Sequence, residues 1–179
     1  MKFTRFSRLF RLLPAMTAAL AWQAALADPP SEASVKAGFI FNFAKFIEWP
    51  ASTLPSGAPL LLCSTGHSAV QERLDLLQGR QAQGHEIRVR DDVHANELRG
   101  CHILYISPSE EKHLSTLLDS LGNRPVLAVS DIADFAESGG IIGLDVEDNR
   151  VVFTVNLTNA RGRGLKPSAQ MLRLGRVLQ

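Results

Sequence analysis

The sequence predicts an α/β fold: a mainly parallel sheet of about five to six strands flanked by helices and made mixed by a hairpin near its end. Three observations carry this. Short apolar runs alternate with segments of helical spacing between residues 60 and 130, the pattern of strand–helix–strand units. Two further apolar runs, 141–146 and 150–157, flank Glu147-Asp148-Asn149, and an Asp-Asn pair suits the tight turn of a β-hairpin. No internal repeat, low-complexity tract or long linker divides residues 28–179. About 150 residues are enough for one domain with its own core.

The first 27 residues read differently. Lys2, Arg5, Arg8 and Arg11 precede the first acid, Asp28, and an apolar stretch over 12–26 is interrupted by Pro14, Thr17 and Gln23 before Ala25-Leu26-Ala27. A basic start, a short apolar segment and a small-x-small exit compose a secretory signal peptide. The alternative is a retained membrane anchor, but a spanning helix needs about 20 apolar residues, and this run is shorter and broken. Cleavage is expected after Ala27, leaving a single exported domain over 28–179. Residues 1–27 hold four of the 19 basic residues and none of the 18 acids, so the mature chain carries 15 basic and 18 acidic residues, a net of −3. A net acidic chain gives no reason to expect nucleic-acid binding, which requires a basic field.

Asp28-Pro29-Pro30-Ser31 has no pattern. From Ser34 the spacing becomes helical, with Val35, Phe39, Phe43, Phe46 and Ile47 on one apolar face. Lys36, Asn42, Lys45 and Trp49 fall on or near the other side, and Pro50 stops the helix. Residues 54–59 form a loop and 60–64 a buried strand. Thr65-Gly66-His67-Ser68 is a turn into a helix through Val70, Leu74 and Leu77. Residues 79–84 are turn-like. Residues 85–93 alternate around Ile87 and Val89 as a half-exposed strand. One helical turn is expected over 95–98, and a strand over 102–107. Pro108-Ser109-Glu110-Glu111 reads as a helix start with Ser109 as cap and acids in the first turn. Leu114, Leu117, Leu118 and Leu121 give that helix its core face, and Gly122-Asn123 ends it. A strand over 125–130, a loop over 131–140 and the hairpin follow. Residues 161–164 read as flexible, and a final helix is expected over about 166–178, with Met171, Leu172, Leu174, Val177 and Leu178 apolar.

The two cysteines, Cys63 and Cys101, lie in the mature chain. In an oxidising compartment such a pair is most simply one disulfide; the alternative is two buried free thiols. His67, His85, His94, His102 and His113 stand in no metal-ligand pattern. No G-x-S-x-G elbow, P-loop or dinucleotide fingerprint is present, so no cofactor is expected. Gly66-His67-Ser68 after a strand is either a generic anion site or a plain strand–helix turn. Acid pairs at Asp91-Asp92, Glu110-Glu111 and Asp145/Glu147/Asp148 suit loops, a helix start and a hairpin turn. None of these places two carboxylates across an apolar cleft. The motifs point to a binding protein, not an enzyme.

Two stretches stand out together: residues 35–50, VKAGFIFNFAKFIEWP, and Val152-Phe153-Thr154-Val155-Asn156-Leu157 followed by residues 164–174, GLKPSAQMLRL. Between them lie Cys101-His102-Ile103-Leu104-Tyr105-Ile106 and residues 135–144, FAESGGIIGL. In this order and spacing the set resembles the YfiR family of periplasmic proteins, over essentially all of the mature chain. The resemblance implies a periplasmic regulator that binds and represses an inner-membrane diguanylate cyclase, with effects on cyclic di-GMP and biofilm. It also implies sequestration by an outer-membrane lipoprotein, a homodimer, and a disulfide between Cys63 and Cys101. The better-studied type has a second disulfide near the glycine pair, where this chain has no cysteine around Gly139-Gly140. A partner- or ligand-binding pocket of that type falls on Glu48, Trp49, Lys166 and Ser168; the type is basic where Glu48 and Ser168 stand. An alternative is a periplasmic small-ligand sensor without enzymatic activity. A tryptophan at a helix end is also a frequent interaction hot spot, or equally a lid on the core.

Overall fold

The structure, a computed structural model, describes residues 30–179. The leader expected over 1–27 lies outside the described residues.

Helix α1 spans Glu32–Phe46, with Ser31 as N-cap accepting from the Ser34 N–H, Glu32 in its first turn and Lys45 in its last. Both charges complement the helix dipole. The helix ends three residues before the expected Trp49, because Ile47 turns extended and residues Ile47–Glu48 form strand β1. Its buried positions are Lys36, Ala37, Ile40, Phe41, Phe43 and Ala44. The expected face is therefore corrected: Val35, Phe39 and Phe46 are only half-buried, and Lys36 is inside. Apolar side chains ring this helix, so spacing alone does not select the inward side.

The remaining elements are β2 (Leu60–Thr65), α2 (Ala69–Leu74) with a 3-10 turn over Asp75–Leu77, β3 (Gln81–Ala82), β4 (His85–Arg90) and β5 (Ile103–Ile106). A 3-10 segment over Pro108–His113 precedes α3 (Leu114–Leu121). Then come β6 (Leu127–Ser130), β7 (Ile142–Glu147), β8 (Arg150–Asn156), α4 (Leu157–Gly162), β9 (Lys166–Pro167), α5 (Ala169–Leu172) and β10 (Arg176–Leu178).

Eight strands form one mixed sheet in the order β10-β8-β7-β6-β5-β2-β4-β3, and β1 pairs with β9 in a separate two-stranded sheet. The pairs β4–β2, β2–β5, β5–β6, β6–β7 and β8–β10 are parallel; β7–β8 and β3–β4 are antiparallel. The class is as expected. The strand number is larger than five to six because β3 and β10 are too short to show a period. Side chains alternate across the central strands as the pleat requires. Leu60, Leu62, Ile103, Tyr105, Leu127 and Val129 join the core on the α1 and α2 face. Cys63, Leu104, Ile106 and Ala128 face α3 with Leu117, Leu118 and Leu121. The hairpin forms where expected: Asp148 and Asn149 take positive φ of 47° and 61°, as a type I′ turn demands.

The expected final helix does not form. Ser168 caps only a single turn, α5, and β10 then pairs with β8 in register Val177↔Val155. The break comes at Gly175, where a Cβ would run into the Phe153 ring. Past it the chain lies along the open edge of β8, and its backbone groups find partners there. A short apolar run fits both periods, so the sequence alone does not separate the two outcomes. Three smaller corrections belong here. Ser109 is not the cap: Ser107 holds that position, and Ser109 Oγ accepts from the His67 N–H at 2.9 Å. Residues 95–97 form a hydrogen-bonded turn instead of a helical one, closed by the Glu97 N–H to His94 O at 2.8 Å. Asn156 caps α4 through the Asn159 N–H, so Arg161 and Gly162 are helical instead of a flexible connection.

Candidate functional site

In open α/β sheets, ligands favour the carboxyl ends of the strands where the strand order reverses. Here that point lies between β2 and β5, and the chain fills it with its own groups. Gly66, at φ +75°, sits so close under Ser107, Ser109 and Glu110 that a Cβ would meet Ser109 and Glu110. Ser68 is spent capping α2. The Gly66-His67-Ser68 segment is thus a plain strand–helix turn, not an open anion site.

Beside it, a buried polar chain ties α1 to the strand ends. Lys36 Nζ stands 2.8 Å from Asp131 Oδ2 and 2.7 Å from Glu32 Oε1. Tyr105 Oη donates to Asp131 Oδ1 at 2.6 Å and lies 3.1 Å from Ser68 Oγ. Burial pulls the Lys36 ammonium down, but the Asp131 and Glu32 carboxylates together outweigh it and hold its pKa above the ordinary value. Burial, reinforced by Asp131, pushes the Tyr105 phenol far up, so it stays a donor. Both carboxylate oxygens of Asp131 are engaged, which makes this an anchor and leaves no free base.

The opposite end of the sheet is open. There the short β1–β9 pair sets Ile47 against Pro167 and Glu48 against Lys166. Pro167 lacks an N–H, and the next residue supplies the bond: the Ser168 N–H donates to Phe46 O at 2.8 Å. A cleft of about 200 Å³ opens beside this pair, lined by Glu48, Trp49, Pro50, Ala51, Gly164 and Lys166. Gly164 takes φ +73° and approaches Pro50, to which a Cβ would lie 3.4 Å away; that positive φ favours glycine. Glu48 and Lys166 are exposed, and among the described residues they form no ion pair with each other, so both charges face solvent.

Trp49 is half-buried, with its indole Nε1–H donated to His102 O at 3.2 Å. His102 is buried. Its Nδ1 accepts from the Leu61 N–H at 2.9 Å, and Nε2 lies 3.2 Å from Thr53 O. Accepting at Nδ1 places the proton on Nε2, the neutral tautomer. Burial holds the His102 pKa below its ordinary value. The histidine is thus a satisfied core group that carries the floor of the cleft.

Three of the four expected residues, Glu48, Trp49 and Lys166, therefore meet in one cleft. Ser168 adjoins it, but its Oγ accepts from the Met171 N–H as the α5 cap. Sequence reasoning missed Arg163, whose Nη1 is buried without a hydrogen-bond partner and whose pKa is lowered by burial and then by the Arg124 charge. Its glycine-flanked setting gave no signal of burial.

Cys63 of β2 and Cys101, two residues before β5, are joined by a disulfide with Cα atoms 5.9 Å apart, which staples the central strand pair on the α3 face. Behind the cleft, then, is a stapled, tightly packed sheet. The cleft itself offers an amphipathic indole beside one acidic and one basic group, with no nucleophile–base pair. The family model described as YfiR/HmsC-like matches residues 33–176, from the first turn of α1 to the first residue of β10.

Proposed function

This chain belongs to the YfiR/HmsC-like family, and from that premise we propose that it is a periplasmic regulator that binds and represses an inner-membrane diguanylate cyclase. Members of the family are periplasmic regulators and not enzymes. The observation that carries the reading is the family match across residues 33–176. The working unit is residues 28–179, exported by the leader over 1–27 and cleaved after Ala27. It acts as a homodimer on the periplasmic part of the cyclase and is released when an outer-membrane lipoprotein sequesters it.

The cleft at Glu48, Trp49 and Lys166 supports protein binding over small-molecule sensing. Its volume of about 200 Å³ falls below the ~300–1,000 Å³ of sites that hold drug-sized ligands. It suits one inserted side chain, with the two charges setting orientation. Deleting the gene is expected to raise cellular cyclic di-GMP, and the wild-type gene to restore it. Glu48→Lys and Lys166→Glu, both at exposed positions, are expected to restore it poorly while melting like wild type. Unchanged cyclic di-GMP on deletion, with no cyclase recovered from the envelope by the purified protein, would refute the proposal.

A further inference from the structure

We propose that the groove between α1 and α2, away from the Trp49 cleft, receives an acidic amphipathic helix of the regulated membrane protein. This rests on the regulator reading above and adds a second contact surface to the Trp49 cleft.

The groove measures about 160 Å³, and Ala37, Gly38, Leu76 and Leu77 give it an apolar floor between Arg73 and Arg80. Leu76 is 68% exposed although it is a leucine. Nothing in the protein lies within 4 Å of where a Gly38 Cβ would stand, so α1 carries a notch at that turn. Ala37 and Leu77 belong to the buried core, so Leu76 is the apolar side chain that this groove offers to solvent.

The rim is basic. Lys45 Nζ and the Arg80 guanidinium carbon lie 4.1 and 4.2 Å from the centroid of the same Phe41 ring. Among the described residues, neither these two nor Arg73 enters an ion pair. Like charges held together repel, and a carboxylate from outside relieves that repulsion. The cluster runs against the overall charge of the mature chain, which is net acidic, so it is a local attractor and not part of a general basic field. An anionic lipid surface would meet a convex apolar ridge best. A notch of this size instead takes one apolar side chain of a helix laid across it, and the three cations select acids on that helix's flanks.

The test uses the gene-deletion strain and the full-length protein. Arg73→Glu/Arg80→Glu and Leu76→Asp variants are each compared with wild type in returning cyclic di-GMP to its repressed level. Wild-type complementation with both variants behaving like the deletion, and both melting like wild type, supports the groove. Complementation by the variants as full as wild type overturns the groove and leaves the regulator reading standing. A wild-type gene without effect overturns both. If a variant fails to fold, p-benzoylphenylalanine at position 76 decides in cells. Cross-linking to a cyclase peptide rich in Asp and Glu, with apolar residues at helical spacing, supports the proposal. Cross-links to a phospholipid, to a second copy of this chain or to a basic segment, or no cross-link, overturn it.

Discussion

The indole of Trp49 donates to the carbonyl oxygen of His102, which also accepts the Leu127 N–H at 2.8 Å. One carbonyl thus joins the wall of the cleft to the junction of β5 and β6. The ring of the same histidine holds the Leu61 N–H at Nδ1, and protonation at Nδ1 abolishes that acceptor.

The His102 pKa is depressed from its ordinary 6.5 by burial, so the neutral form is the one the fold selects. Its contribution to stability is present above pH 6.5 and is lost as pH falls from there through the lower folded-state pKa. The melting temperature is expected to fall over that window, with a shift in the emission of Trp49, the one tryptophan of residues 28–179. His102→Gln is expected to flatten both responses. A melting curve independent of pH between about 6.5 and 5 would show that protonation is not coupled to the fold.

Lys36 is buried beside Asp131 and Glu32. Asp131→Ala leaves that ammonium without its buried partner and is expected to cost about 3–5 kcal/mol in urea unfolding. The double variant Lys36→Met/Asp131→Leu is expected to recover most of that loss. The raised Lys36 pKa gives a contribution that is complete below pH 10.5 and disappears as pH climbs through the folded-state value. Wild-type stability is therefore expected to drop above pH 10.5 more steeply than that of the double variant.

The Cys63–Cys101 bond closes a loop with a sequence separation of 38. On the chain-entropy account its removal costs about 4 kcal/mol. Cys63→Ala/Cys101→Ala is expected to unfold at correspondingly lower urea, and a reductant is expected to lower the wild-type midpoint while leaving the double variant unmoved.

Gly175→Ala places a methyl group against the Phe153 ring. The ring or the backbone has to move, at a cost of about 1–3 kcal/mol by the measure of overpacked cores. Hydrogen exchange is expected to quicken first at the amides that pair β10 with β8, before the central strands respond.

The central strands and the hairpin were legible because their signals are local. The 60–64 and 102–107 runs and the Asp148-Asn149 turn each carry their instruction within a few residues. The residues of the cleft came from a resemblance to a family, and their meeting depended on pairing between Glu48 and Lys166, 118 positions apart in the chain. No periodicity encodes that register. Ser168 illustrates the limit: its hydroxyl was a plausible ligand contact until the following turn claimed it as a cap.

By itself, the sequence determined the alternation that makes an α/β sheet, the oxidisable cysteine pair and the family. Tertiary structure decided which side of α1 is buried, that Lys36 belongs inside, and that the last residues form a strand and not a helix. A helix with apolar residues on more than one side and a short apolar run each fit more than one arrangement. The choice falls to the packed neighbours: two carboxylates for Lys36, the Phe153 ring at Gly175 and the open edge of β8.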